Sequence, residues 1–216
     1  MNALHGLYAI TPPGLSTEQL LSLVEQALKG GIQLLQYRAK QVTEDQRQRE
    51  AAALLALCRE AGCPLIINDD PVLAKRIKAQ GVHLGQGDGD PQQARSLLGK
   101  SALIGVTCHG SLPLAEQASQ AGADYLAFGA FFPSKTKPQA QQVPLALLAE
   151  AKKRFALPVV AIGGITPANA APLVEAGADL LAAVDALFTS DNIPAQCRAF
   201  QQVFTNLITP TSLDSQ

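Results

Sequence analysis

Eight times along this chain of 216 residues, a short apolar run gives way to a polar loop and then to an amphipathic segment. That alternation constrains the fold more than any other feature, because strands alternating with helical patterns build a parallel sheet. The expected strands lie near Leu7–Ile10, Leu34–Tyr37, Leu65–Asn68, Gly81–Leu84, Leu103–Thr107, Tyr125–Phe128, Val159–Ile162 and Leu180–Val184. Ser16-Thr17-Glu18, Thr43-Glu44-Asp45 and Thr166-Pro167 carry the chemistry of helix starts, with a capping hydroxyl followed by acid or proline. Gly30-Gly31, Gly62, Gly81, Gly122 and Gly177 mark the returns from helix to strand, where a left-handed cap favours glycine. Ala121–Ala127 is echoed by Ala176–Ala182, as if one βα unit were used twice.

Eight such units in roughly 200 residues predict α/β architecture in the form of a single (β/α)8 TIM barrel. Residues 1–207 would form the barrel and 208–216, rich in Ser, Thr and Pro, a flexible tail. No glycine-rich dinucleotide fingerprint follows the first strand, which argues against a doubly wound sheet. In a barrel the C-terminal ends of all strands open on one face, and active sites are built there.

Composition excludes several functions. The chain is 47% hydrophobic with a net charge of −1, unlike a disordered chain or a general polyanion binder. No nucleic acid partner is expected. Arg47 and Arg49 share a helical segment with Glu44, Asp45 and Glu50 and read as a solvated face. Charged residues interrupt every apolar stretch, and the N-terminal residues lack signal-peptide character, so the expectation is a cytoplasmic protein with no membrane partner. The four cysteines fall in no zinc-type spacing and read as free thiols.

Four polar bursts sit at strand ends. Gln36-Tyr37-Arg38-Ala39-Lys40 and Pro133-Ser134-Lys135-Thr136-Lys137 supply cations and hydroxyls; Asn68-Asp69-Asp70 and Gly85-Gln86-Gly87-Asp88 supply carboxylates. Brought to one rim, they would hold a polyphosphate and a divalent cation. Arg38 offers a planar fork for phosphate and Lys40 a point charge, although a salt-bridged surface pair would explain the same residues. Asp69 and Asp88 are candidate ligands for Mg²⁺, which takes one or two carboxylates and completes its shell with water and phosphate. Helix capping explains Asp70 before Pro71, and a turn among glycines would explain Asp88. Gly163-Gly164 before Thr166-Pro167 is a second anion candidate, or a plain tight turn. Cys108 and His109 are neighbours on an extended chain and point to opposite faces, so no thiol–imidazole pair is expected. His83 lies in an apolar run and reads as a core histidine.

In their order and spacing, the segments Gln36–Lys40, Leu65–Asp70, Gly81–Asp88, Ile104–His109, Gly129–Lys137 and Ala161–Ile165 resemble the thiamine phosphate synthase family, from Leu7 to about Phe188. The resemblance implies a Mg²⁺-dependent transferase. Its small-molecule substrates would be hydroxymethylpyrimidine diphosphate and hydroxyethylthiazole phosphate or its carboxylated form. Products would be thiamine phosphate and diphosphate, by a dissociative route. It places Gln36, Arg38, Lys40, Asn68, Thr107 and Lys137 at the diphosphate substrate, with Tyr37, Ala39 and Lys135 in the same binding segments. Arg38, Lys40 and Lys137 would be catalytic, and Asp69 and Asp88 would hold the metal. Ser134, Thr136, Gly164 and the backbone at Val184-Asp185 would meet the thiazole phosphate. Thr107, Ser134 and Asp185 stand where the family more often has serine, threonine and serine. Asp185 is expected to turn away from the phosphate and cap the following turn. A thiazole tautomerase on the same barrel, or a non-catalytic phosphate-binding barrel, would not need the diphosphate grip.

Overall fold

The computed structural model describes residues 4–133 and 141–208. The strands are β1 (Gly6–Ile10), β2 (Leu34–Tyr37), β3 (Leu65–Asn68), β4 (Gly81–Leu84), β5 (Leu103–His109), β6 (Tyr125–Phe128), β7 (Val159–Ile162) and β8 (Leu180–Ala183). They pair in parallel in sequence order, and β8 closes on β1. Helices α1 (Thr17–Lys29), α2 (Glu44–Glu60), α3 (Pro71–Ile77), α4 (Pro91–Leu98), α5 (Leu112–Gln120), α6 (Ala146–Arg154), α7 (Ala171–Glu175) and α8 (Asp185–Phe188) follow the strands one by one, and α9 (Ile193–Ile208) ends the described chain. The expected (β/α)8 barrel is therefore observed. No helix among the described residues is long and apolar enough to cross a membrane.

The period-two alternation of each strand makes two apolar layers. Tyr8, Leu34, Ile66, Leu103, Tyr125, Val160 and Leu180 fill the barrel. Leu7, Leu35, Leu65, Ile67, Leu126, Val159 and Leu181 face outward into the larger layer beneath the helices. The echoed Ala-Gly-Ala-Asp segments do the same job at the N-terminal rim. Asp124 Oδ2 accepts the Ile104 N–H at 2.7 Å and pairs with Arg95 at 2.5 Å. Asp179 Oδ2 accepts the Val159 N–H at 2.8 Å and pairs with Lys152 at 2.6 Å. Each aspartate satisfies a backbone donor of the preceding strand, which would otherwise be orphaned.

Ser16 and Thr43 cap α1 and α2 as expected, and Asp70 caps α3 by accepting the Leu73 N–H at 2.8 Å. Four expectations fail locally. Helix α7 starts at Ala171 rather than after Thr166, because Asn169 closes a turn of its own. Its Oδ1 accepts the Thr166 N–H at 2.8 Å and its Nδ2 donates to the Gly164 carbonyl at 3.0 Å. Lys78, not Gly81, takes the left-handed position after α3, and Gly81 lies inside β4, where a Cβ would meet the Leu103 carbonyl at 2.1 Å. Asp185 does not cap α8. Val184 holds the N-cap position and no side chain caps that helix, so Asp185 is its first residue. Glu50 is not on a solvated face but buried. It accepts from Tyr37 Oη at 2.6 Å, Thr17 Oγ1 at 2.7 Å and Gln46 Nε2 at 2.9 Å, a set that outweighs the cost of burial and holds its carboxyl below the usual range.

Candidate active site

The C-terminal mouth of the barrel opens into a cavity of about 1370 Å³, larger than one small ligand needs and ample for two. Gln36, Arg38, Asn68, Thr107, Gly164, Val184 and Asp185 line it. Residues from five strand ends thus meet as their positions predict. Strand alternation points Gln36 inward and Tyr37 outward, so the Tyr37 hydroxyl goes to Glu50 rather than to the cavity. Tyr37, Ala39, Lys40 and Asp69 line a smaller adjoining pocket that shares Asn68 with the main cavity. Ser134, Lys135, Thr136 and Lys137 lie outside the described residues.

The end of β2 is fixed by Thr11. Its Oγ1 accepts the Arg38 N–H at 2.9 Å, and its own N–H donates to the Gln36 carbonyl at 3.0 Å. Arg38 is thereby presented on an anchored backbone. Beside it, Asp69 has a left-handed backbone with φ 62°, a conformation costly for a residue with a Cβ. Three contacts hold it. The Asp69 N–H donates to the His83 carbonyl at 2.8 Å, Asn68 Nδ2 donates to Asp69 Oδ2 at 2.6 Å, and Lys40 Nζ stands 3.4 Å from the same oxygen.

Asp88 comes to this aspartate from the β4–α4 loop, which Gln86 latches to the barrel by donating to the Thr107 carbonyl. Partial burial and the neighbouring Asp69 carboxyl push the Asp88 carboxyl above its ordinary value, against the opposing pull of Lys40. Two opposed carboxylates form a hard-oxygen donor set short of positive charge. No cluster of three or more His, Cys, Asp or Glu side chains surrounds them among the described residues. The pair therefore fits Mg²⁺, which uses few protein ligands and takes the rest from water and phosphate, and does not resemble an all-protein metal cage.

At the other side of the mouth, Gly163 and Gly164 have φ of 104° and 61°. A Cβ at Gly164 would lie 2.2 Å from the Pro133 carbonyl. These glycines thus let Ala130–Pro133 lie close against the end of β7, and the Phe132 N–H donates to the Gly163 carbonyl at 3.0 Å. They line the cavity as expected, but the Thr166 N–H is taken by Asn169 rather than offered to an anion.

Sequence reasoning missed three residues in and beneath the cavity floor. Tyr8, His83 and Tyr125 point into the barrel and are buried. His83 is satisfied, as a core histidine should be, yet it also lines the cavity. The available signal was their register: each is a polar aromatic ring at an inward position of an otherwise apolar strand. Gly105 on β5 makes room for the Tyr125 ring, since a Cβ there would be 2.0 Å from it. At the end of β5, where the register shifts between Thr107 and His109, Cys108 points outward into the core while Thr107 and His109 line the cavity.

The family described as thiamine monophosphate synthase matches residues 7–187, most of the chain. This chain belongs to that family. Two relatives named thiamine-phosphate synthase are each 51% identical to it. That of Methylobacillus flagellatus aligns over 201 residues, 93% of this chain and 96% of the relative. That of Alcanivorax borkumensis aligns over 215 residues, 97% of this chain and 99% of the relative. Among solved structures, thiamine phosphate pyrophosphorylase from Pyrococcus furiosus superposes with a TM-score of 0.84 at 28% identity, covering 94% of this chain and 97% of that one. The thiamine phosphate synthases are transferases of thiamine biosynthesis, and the chain is an enzyme of that class acting on small molecules.

Proposed function

We propose that the chain transfers the pyrimidine-methyl group of 4-amino-2-methyl-5-hydroxymethylpyrimidine diphosphate to the ring nitrogen of hydroxyethylthiazole phosphate or its carboxylated form. Thiamine phosphate and diphosphate are the products, and the carboxylated form releases its carboxylate as carbon dioxide as well. The observation that carries this reading is Arg38 at a cavity roomy enough for both substrates, with Lys40 and the opposed carboxylates Asp69 and Asp88 together at the adjoining pocket.

The chemistry asks for a leaving group to be stabilised, not for a nucleophile. The bond from the pyrimidine methylene to the diphosphate oxygen breaks first. The electron pair goes to diphosphate, and the aminopyrimidine ring delocalises the cation left behind. The thiazole nitrogen then closes on that carbon. Arg38 grips diphosphate oxygens with its planar fork, and Lys40 and Lys137 add point charges. Preorganised charges of this kind carry most of the rate enhancement when charge develops on a leaving group. Mg²⁺ bound at Asp69 and Asp88 would supply further neutralisation of the diphosphate. Gly164 and the backbone at Val184-Asp185, with Ser134 and Thr136, accommodate the thiazole phosphate on the opposite side.

Incubating the protein with both substrates, with and without Mg²⁺, tests the reading. Thiamine phosphate and diphosphate should appear in equal amounts, and only with the metal. Isomerisation of the thiazole without diphosphate release would point to a tautomerase. Binding of either phosphate without turnover would leave a phosphate-binding barrel.

A further inference from the structure

The polar side chains in and beneath the cavity floor are joined end to end across five strands. Gln36 Nε2 donates to Tyr8 Oη at 2.7 Å, and Tyr8 Oη lies 2.8 Å from Tyr125 Oη. Tyr125 Oη lies 3.1 Å from His83 Nδ1, and His83 Nε2 lies 2.8 Å from Thr107 Oγ1. Tyr8 and Tyr125 are fully enclosed. Burial raises both phenols well above the ordinary tyrosine value, so each keeps its single proton and has one to give.

Counting protons gives the chain a direction. The Gln36 amide nitrogen can only donate, so Tyr8 accepts from it. The Tyr8 proton then has the Tyr125 oxygen as its acceptor, and the Tyr125 proton goes to His83 Nδ1. A neutral imidazole with a bare Nδ1 carries its proton on Nε2, where it is donated to Thr107 Oγ1. The Thr107 hydroxyl proton is left over. Thr107 lines the cavity, so that proton is offered to whatever the cavity holds. Were the chain reversed, Thr107 would spend its proton on His83 and face the cavity with lone pairs alone, which a diphosphate oxygen would repel.

We propose that Gln36, Tyr8, Tyr125 and His83 form a one-way hydrogen-bond relay that fixes His83 as its Nε2–H tautomer and makes Thr107 a dedicated donor to an acceptor atom of the diphosphate substrate. Tyr8, Tyr125 and His83 are positioning residues in this scheme, acting through Thr107. The identity of the acceptor rests on the function proposed above; the direction of the relay does not.

The test begins with the ligand-free full-length chain, labelled with ¹⁵N at histidine. The chain has three histidines, and the His5→Gln and His109→Gln variants identify the His83 signals. At neutral pH, His83 should show a bare Nδ1 and a protonated Nε2. A protonated Nδ1, alone or together with Nε2, would overturn the relay. The second arm is kinetic. Tyr125→Phe keeps the ring but removes the proton that holds Nδ1. It should mix the His83 tautomers and lower kcat/KM for the diphosphate substrate by roughly five- to tenfold, the worth of one neutral hydrogen bond. Thr107→Val should cost at least as much, and the double variant no more than Thr107→Val alone, because both changes act through one bond. Additive losses, or an unchanged tautomer in Tyr125→Phe, would show that the residues act separately and sink the proposal. A wild-type enzyme that formed no thiamine phosphate would refute the proposed function, while the tautomer signals would still decide the relay.

Discussion

Asp69 and Asp88 hold their carboxyl groups against each other at the mouth of the barrel, and Lys40 Nζ, 3.4 Å from Asp69, only partly offsets the repulsion. The Asp88 carboxyl is raised for two reasons, burial and then Asp69. A raised carboxyl binds its proton more tightly in the folded protein than in the unfolded one. In metal-free protein the pair therefore costs stability above the raised value, and that cost disappears as pH falls through it. A proton on Asp88 also competes with a metal. Mg²⁺ affinity, followed by calorimetry, should weaken as pH is lowered from neutral toward the carboxylate range, and the weakening should begin above the ordinary aspartate value. Asp88→Asn should unfold at the same or a slightly higher temperature without metal, yet lose Mg²⁺-dependent turnover. Unchanged Mg²⁺ dependence in that variant would remove Asp88 from the metal site.

Arg38 and Lys137 are expected to act on the departing diphosphate. Losing one preorganised charge of this kind typically costs about 10²–10³ in rate. Arg38→Ala and Lys137→Ala should each lower kcat as well as weaken binding of the diphosphate substrate, since the charge they meet grows as the bond breaks. If either variant raised only the KM for the thiazole phosphate, that residue would belong to the other substrate.

The barrel was legible because its evidence is periodic and local. Apolar runs of strand length recur eight times, and Ser16, Thr43 and Asp70 start helices by contacts within three residues. The positions of Arg38, Lys40, Asp69 and Asp88 at strand ends were legible because the fold sends every such end to one rim. The cavity floor was not, because Tyr8, His83 and Tyr125 are recognised only by partners far away in sequence, such as the Tyr8–Tyr125 contact at a separation of 117 residues. The same holds for Glu50, which looks solvated by its charged neighbours and is buried by Tyr37 and Thr17 from other elements. Asp185 illustrates a third cause: β8 stops one residue earlier than its apolar run suggests, and that shift moves the cap from Asp185 to Val184.

Glu50 should govern stability rather than catalysis. Its lowered carboxyl contributes stability that is fully present above the unfolded value and is lost as pH falls through the folded one. Glu50→Gln replaces one of the two accepting oxygens by a donor and leaves a buried donor unmatched, a cost of about 1–3 kcal/mol. Urea unfolding at neutral pH should show that loss, and the gap from wild type should close in acid. Tyr37→Phe should likewise lower stability with little change in KM for either substrate. A large rise in KM for the diphosphate substrate would mean that the Tyr37 hydroxyl does reach the site.

Asp124 should matter in the same way at the opposite rim. Asp124→Ala strands the Ile104 N–H and leaves Arg95 without its carboxylate. The expected loss is about 1–3 kcal/mol in denaturant unfolding, with steady-state constants unchanged because the N-terminal face of a barrel serves stability. Asp179→Ala should behave alike, through the Val159 N–H and Lys152. A selective loss of kcat in either variant, at full stability, would show that this rim communicates with the site.

Cys108 should be dispensable, although it stands between the cavity residues Thr107 and His109. Strand alternation turns its side chain into the outer core, where it is fully buried and its Sγ lies 3.5 Å from the Val106 carbonyl. Burial pushes its thiol up to about 12, so almost none is thiolate at neutral pH, and the thiolate is the nucleophilic form. A dissociative transfer has no step for it. Cys108→Ala should keep kcat and KM for both substrates and lose only about 1 kcal/mol of stability for the small cavity it leaves. Substitution is a cleaner test than thiol reagents, whose bulk would disturb β5 and Thr107 with it. A Cys108→Ala protein that folded normally but lost several orders of magnitude in kcat would mean that a covalent step occurs after all.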